Sequence, residues 1–99
     1  MSKLKFGDAI TAAKDGKRIS REGWNGKGMF VFMQVPSEIG ADIVPRMTSL
    51  PEPVKAEFVK RGEPLRYSNQ FALVKQDNSI NGWAPSAADA LAEDWEVLD

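Results

Sequence analysis

The chain has 99 residues, 42% hydrophobic and 27% charged, with a formal net charge of -1. This suits a single folded domain and excludes both global disorder and whole-molecule attraction to nucleic acid or anionic membrane. Cysteine and histidine are both absent, which removes disulfides, the commonest zinc ligands, the thiolate nucleophile and the commonest general base.

The start, Met1-Ser2-Lys3-Leu4-Lys5, has no apolar run after its charges, so no secretory leader is expected. No stretch approaches the roughly 20 apolar residues of a membrane span. The expected setting is the cytoplasm. From Phe6 to Asp15 the spacing predicts a short helix, with Phe6, Ala9, Ile10 and Ala13 on one face. Gly16 is placed to end it in the left-handed conformation. Lys17 to Arg21 reads as a strand with Ile19 pointing inward and Arg18 and Ser20 on the other face.

Gly23-Trp24-Asn25-Gly26-Lys27-Gly28 follows as a loop between two strands. Its glycines relax the backbone and let N–H groups converge on an anion. Lys27 adds a positive charge and Trp24 a stacking surface. Asn25-Gly26 is also the favoured pair for a two-residue hairpin turn. Gly23 and Gly28 have the separation of a phosphate-binding P-loop, but Met29 stands where that motif requires lysine and a strand follows where it requires a helix. Nucleotide hydrolysis by that route is excluded.

Met29 to Val35 is the strongest strand signal. Its five consecutive apolar residues ask for cover on both faces. One short helix covers one face, so a second copy of the chain is expected on the other. Residues 36–65 contain Pro36, Pro45, Pro51, Pro53 and Pro64 and read as a long loop or insertion within the domain, with a helical turn or two from Pro53 to Lys60 ahead of Gly62. Tyr67 to Lys75 is the next expected strand, Gln76-Asp77-Asn78-Ser79 a turn, and Ile80 to Ala84 another strand. Ser86-Ala87-Ala88-Asp89 has capping-box spacing for a helix from Ala87 to Ala92. Trp95 to Leu98 closes the chain as a strand. The expected fold is α+β: a small antiparallel sheet with two or three short helices, assembled as a homo-oligomer.

Several constellations carry chemistry. Trp24 and Trp83 adjoin glycines at strand ends, where they suit stacking on a base or sugar, whereas Trp95 between Asp94 and Glu96 suits the core. Arg18, Arg21, Lys27, Arg46, Arg61 and Arg66 lie at strand ends and in the proline-rich segment, and arginine holds phosphate through a planar fork. Taken singly, each is better read as a solvated surface cation. Asp89, Glu93 and Asp94 form an acidic group suited to ribose hydroxyls, while Asp89 also suits a helix cap. Asp77-Asn78-Ser79 opens like a calcium loop, yet Ala88 occupies the position that requires glutamate. Ser20, Ser68, Ser79 and Ser86 have no histidine to activate them. These features favour binding over catalysis and call for no metal or cofactor.

Three blocks together resemble the phage Thoeris anti-defence protein two family. They are Phe6-Gly7-Asp8-Ala9 leading to Gly16-Lys17, Arg21 to Phe30 through the glycine loop, and Gly82-Trp83-Ala84-Pro85-Ser86 continuing through Asp89 to Val97. Residues 36–65 read as longer and more divergent than the family core, outside the match. The resemblance implies a homotetramer that sequesters, without cleaving it, a cyclic ADP-ribose-type signal, glycocyclic ADP-ribose, in pockets between protomers. It thereby implies inhibition of Thoeris defence in the host cytoplasm. Some relatives are implied to hold cyclic dinucleotides in a separate site. The residues placed against the ligand on this basis are Arg21, Trp24, Asn25, Gly26, Lys27, Gly28, Trp83, Ser86, Asp89 and Asp94. Two alternatives stay open. One is an enzyme that degrades the signal with Asp89 or Glu93 as base, and the other is a protein-binding inhibitor that uses the proline-rich segment.

Overall fold

A computed structural model describes residues 3–24 and 27–98. The chain divides into two compact units. Met1–Gln34 and Gln70–Asp99 form the first, and Val35–Asn69 forms the second.

The first unit opens with helix α1 (Phe6–Lys14). Ala9 and Ala13 are fully buried on it, as their spacing predicts. The helix stops as expected at Gly16, which takes φ +92°. The Gly16 N–H reaches the Ala13 carbonyl and the Lys17 N–H reaches that of Ala12, the paired bonds that satisfy the last carbonyls of a helix. Strands β1 (Ile19–Arg21) and β2 (Phe30–Met33) are antiparallel neighbours, so the glycine-rich segment does join two strands. The two-residue turn expected at Asn25-Gly26 lies outside the described residues.

Strand β5 (Phe71–Val74), strand β6 (Ile80–Gly82) and strand β7 (Trp95–Val97) complete an antiparallel sheet in the order β6-β5-β2-β1-β7. Ile19 is opposite Val31 and Val97, Val31 is opposite Leu73, and Arg21 is opposite Trp95. Side chains alternate along a strand, so Ile19, Arg21, Val31, Leu73, Trp95 and Val97 share one face. The core lies on this face: Ile19, Val31 and Trp95 are completely buried against Ala9 and Ala13 of α1. Small residues on α1 let the helix approach the sheet closely enough to cover the Trp95 indole. Helix α3 (Ala87–Leu91) carries the expected capping box, in which the Ser86 hydroxyl accepts from the Asp89 N–H and the Asp89 carboxylate accepts from the Ser86 N–H.

Of the two readings of residues 36–65, a long loop or an insertion, the second unit departs from the irregular loop, because the segment has regular elements of its own. It contains strand β3 (Ser37–Ile39), a 3-10 turn (Val44–Arg46), helix α2 (Glu52–Arg61) and strand β4 (Leu65–Tyr67). Strands β3 and β4 pair antiparallel as a two-stranded ribbon. Helix α2 has 10 residues, longer than the one or two turns expected. Its prolines lie where a helix tolerates them, with Pro51 as N-cap and Pro53 in the first turn, and Gly62 ends it at φ +69°. The single strand expected over Tyr67 to Lys75 is two strands, because the chain leaves β4 after Tyr67 and enters β5 only at Phe71.

The tight fit of α1 on the sheet has a measurable consequence. Ala13→Leu adds bulk at a position with no exposure and is expected to cost about 1–3 kcal/mol. In urea unfolding this appears as a lower midpoint at an unchanged slope.

Candidate functional site

Strand alternation puts Arg21 on the core face of the sheet, one position beyond the last fully apolar pair. A guanidinium there must be matched by acceptors, because half-buried charge without partners is costly. The match is made by two aspartates distant in sequence. Arg21 Nε donates to Asp94 Oδ1 at 2.9 Å and Arg21 Nη1 donates to Asp89 Oδ1 at 2.9 Å. The three side chains are only 13–25% exposed.

Each aspartate then takes a second task. Asp94 Oδ2 accepts the Gly23 backbone N–H at 2.8 Å. Asp89 Oδ1 also accepts from Trp24 Nε1 at 3.3 Å, and its Oδ2 closes the capping box on Ser86. The Asp89 backbone carbonyl accepts Trp95 Nε1 at 2.9 Å, which satisfies the polar atom of a fully buried indole. No buried side-chain nitrogen or oxygen among the described residues lacks a partner.

The rings form a second layer. Trp24 meets Trp95 edge-on at 5.3 Å between centroids and Trp83 at 6.4 Å. Trp83 meets Trp95 at 6.1 Å and Phe71 at 5.9 Å, and Phe6 packs on Trp95 at 5.4 Å. Edge-to-face geometry is the favoured arrangement for such rings. Trp95 is core, as expected, while Trp24 and Trp83 are partly buried at the margin of that core.

The expected site residues therefore separate into two groups. Arg21, Trp24, Ser86, Asp89 and Asp94 are joined by hydrogen bonds into one network, and Trp83 is joined to it through its ring. Lys27 and Gly28 stay exposed, with Gly28 at φ +81°. Asn25 and Gly26 lie outside the described residues. Arg21, read from sequence as a phosphate fork, spends two donors on carboxylates of its own chain. With one guanidinium and two aspartates the network carries a formal charge of -1, which disfavours direct contact with a diphosphate. An anion finds better terms at Lys27 and the glycine backbone beside it.

Gly23 was not among the expected contacts. A Cβ built on it would come 2.9 Å from Asp94 Oδ2, so a side chain there would force the Asp94 carboxylate to shift. A cavity of about 470 Å³ lies in the second unit over Glu38, Arg66, Tyr67 and Asn69. None of the described site residues named from sequence lines it.

The hydrogen bond from Arg21, with help from the Gly23 N–H, holds the Asp94 carboxyl below its usual range. Burial pushes Asp89 up, but hydrogen bonds from Arg21, Ser86 and Trp24 outweigh it and leave that carboxyl lowered as well. The two aspartates raise Arg21 in turn, by accepting its hydrogen bonds, Asp94 first and Asp89 second.

Comparison with known proteins identifies the family. A family model described as the Thoeris anti-defense 2-like domain matches residues 4–98. The chain belongs to that family. Thoeris anti-defense 2 of Bacillus phage SP01 is 33% identical over 97 residues, covering 98% of this chain and 97% of that protein. Family membership supports a role in inhibiting Thoeris defence. It also corrects one expectation. Residues 36–65 fall inside the matched range, and the SP01 protein is of nearly equal length, so the segment is no addition to a shorter family core.

The network makes stability pH-dependent with a definite sign. Both carboxyls are depressed in the folded state, so their contribution is complete above the unfolded value near 4 and is lost as pH falls through the lower folded values. The raised Arg21 acts only in the far alkaline range. Thermal melts from roughly pH 5 down to 2 are expected to show a steep acid limb, flattened in Asp94→Asn. Arg21→Ala is expected to cost about 2 kcal/mol near pH 7, because it strands two carboxylates.

Proposed function

We propose that the protein inhibits Thoeris defence by binding glycocyclic ADP-ribose, a cyclic ADP-ribose-type signal, and holding it intact in the host cytoplasm. The observation that carries this reading is the convergence of Arg21, Trp24, Ser86, Asp89 and Asp94 beside a glycine-rich loop. The ligand presents an adenine, ribose hydroxyls and a diphosphate. Trp24 and Trp83 supply aromatic surface at the core margin. The Asp89 carboxylate has lone pairs beyond those already used, which suits hydroxyl donors. Lys27 and the backbone around Gly28 suit the diphosphate.

Sequestration works by stoichiometry and demands tight binding. Nanomolar affinity corresponds to about 12 kcal/mol, which favours an enclosed pocket made by more than one chain. We therefore read the active form as a homotetramer with ligand held between protomers. The outer face of the sheet supports association. Phe30 and Phe32 are only half-buried there, and Ile80 on the edge strand is 62% exposed.

The alternative of an enzyme with Asp89 as base is disfavoured by the same geometry. A carboxyl held below its usual range by Arg21, Ser86 and Trp24 is a poor proton acceptor near neutrality. Incubation with glycocyclic ADP-ribose followed by heat denaturation is expected to release unaltered ligand in amounts set by the protein concentration. Product formation by substoichiometric protein would contradict sequestration. Native mass spectrometry of the complex, with cyclic dinucleotides offered in parallel, reads oligomer size and ligand count together. Trp24→Ala is expected to lose binding.

A further inference from the structure

We propose that Asp94 is a positioning residue that acts on the ligand only through the loop, by fixing where the chain leaves β1. This rests on the binding function proposed above.

Both oxygens of the Asp94 carboxylate are occupied by its own chain. Oδ1 accepts from Arg21 Nε at 2.9 Å and Oδ2 accepts from the Gly23 N–H at 2.8 Å. The Asp94 backbone carbonyl accepts from the Glu22 N–H at 3.1 Å. Three consecutive residues at the exit of β1 are thus tied to one aspartate. Immediately after them the Trp24 N–H turns back to the Arg21 carbonyl at 3.2 Å.

Gly23 shows how closely this fit is set. It is not among the residues with positive φ. Its lack of a side chain serves the approach to Asp94, since a Cβ would meet Oδ2 at 2.9 Å and Arg21 Nη2 at 3.5 Å. The other end of Trp24 is tied as well, through its indole N–H to Asp89. Arg21 bridges the two aspartates, so the backbone anchor and the indole anchor are coupled through one guanidinium. The stacking residue and the start of the glycine segment are held before any ligand arrives. Fixing them in advance lowers the ordering cost of binding. Charge points the same way, because a carboxylate facing a diphosphate repels it, whereas one that holds a loop does not need to touch it.

The experiment is a double-mutant cycle on the full chain with Gly23→Ala and Asp94→Ala, using glycocyclic ADP-ribose as ligand and calorimetry as readout. Each single variant is expected to weaken binding about tenfold through loss of the fixed loop. The double variant is expected to bind no worse than Asp94→Ala alone, because both changes break the same tie. Losses that multiply would show an independent Asp94–ligand contact and overturn the proposal.

Amide hydrogen exchange read by NMR without ligand supplies the second arm. In Asp94→Ala the Gly23 amide is expected to gain exchange rate by a larger factor than the Val31 amide in the core, which follows global stability. A factor at Gly23 no larger than at Val31 would overturn the positioning role. Should Asp94→Ala fail to fold, Asp94→Asn takes its place in both arms. If the wild-type chain binds no ligand, the binding function fails while the exchange arm still decides whether Asp94 holds the loop.

Discussion

The paired hydrogen bonds from Arg21 to Asp89 and Asp94 organise the candidate site. Strand geometry puts the guanidinium on the core face, and burial makes its pairing obligatory. Each partner aspartate has a second role. Asp94 ties the exit of β1 and Asp89 caps α3 and holds the Trp24 indole. One side chain thus links the glycine loop, the short helix and the entry to β7. A five-residue helix has little stability of its own, and α3 is held in place by this pairing together with the Trp95 indole bond to the Asp89 carbonyl.

This arrangement changes the roles of the charged residues without changing the function they serve. A ribose-binding acid or a phosphate-binding arginine acts by touching ligand. In this chain the same residue types first satisfy one another, and under the proposed function their effect on ligand passes largely through Trp24 and the loop. That suits a protein that holds a molecule without changing it. Catalysis would ask for a group poised to exchange a proton near neutrality, whereas the two aspartates are kept ionised. Tight binding asks instead for surfaces that are already in position.

Much of the fold was legible in the sequence where local chemistry is strong. The spacing of Ala9 and Ala13, the stop at Gly16, the apolar run through Val31 and the capping box at Ser86 and Asp89 each report a local preference that the fold keeps. Residues 36–65 were less legible. Proline content signalled a loop, yet Pro51 and Pro53 sit at the start of α2, where the missing N–H costs nothing. Strand β3 has three residues, two of them exposed, and so leaves little alternation to read. The network of the candidate site was illegible, because the bonds from Arg21 span 68 and 73 positions. One signal was present all the same: the parity that turned Ile19 inward turned Arg21 inward too.

Under the proposed function the signal is held intact against a chain already fixed at Gly23 and Trp24. A crystal structure of the protein with glycocyclic ADP-ribose tests it most directly. The expected result is an uncleaved ligand with its base against Trp24, its diphosphate at the Lys27–Gly28 backbone, and the Asp94 bonds to Arg21 and Gly23 unbroken. A ligand bound away from Trp24, or Asp94 released from Gly23 to contact the ligand, would contradict it.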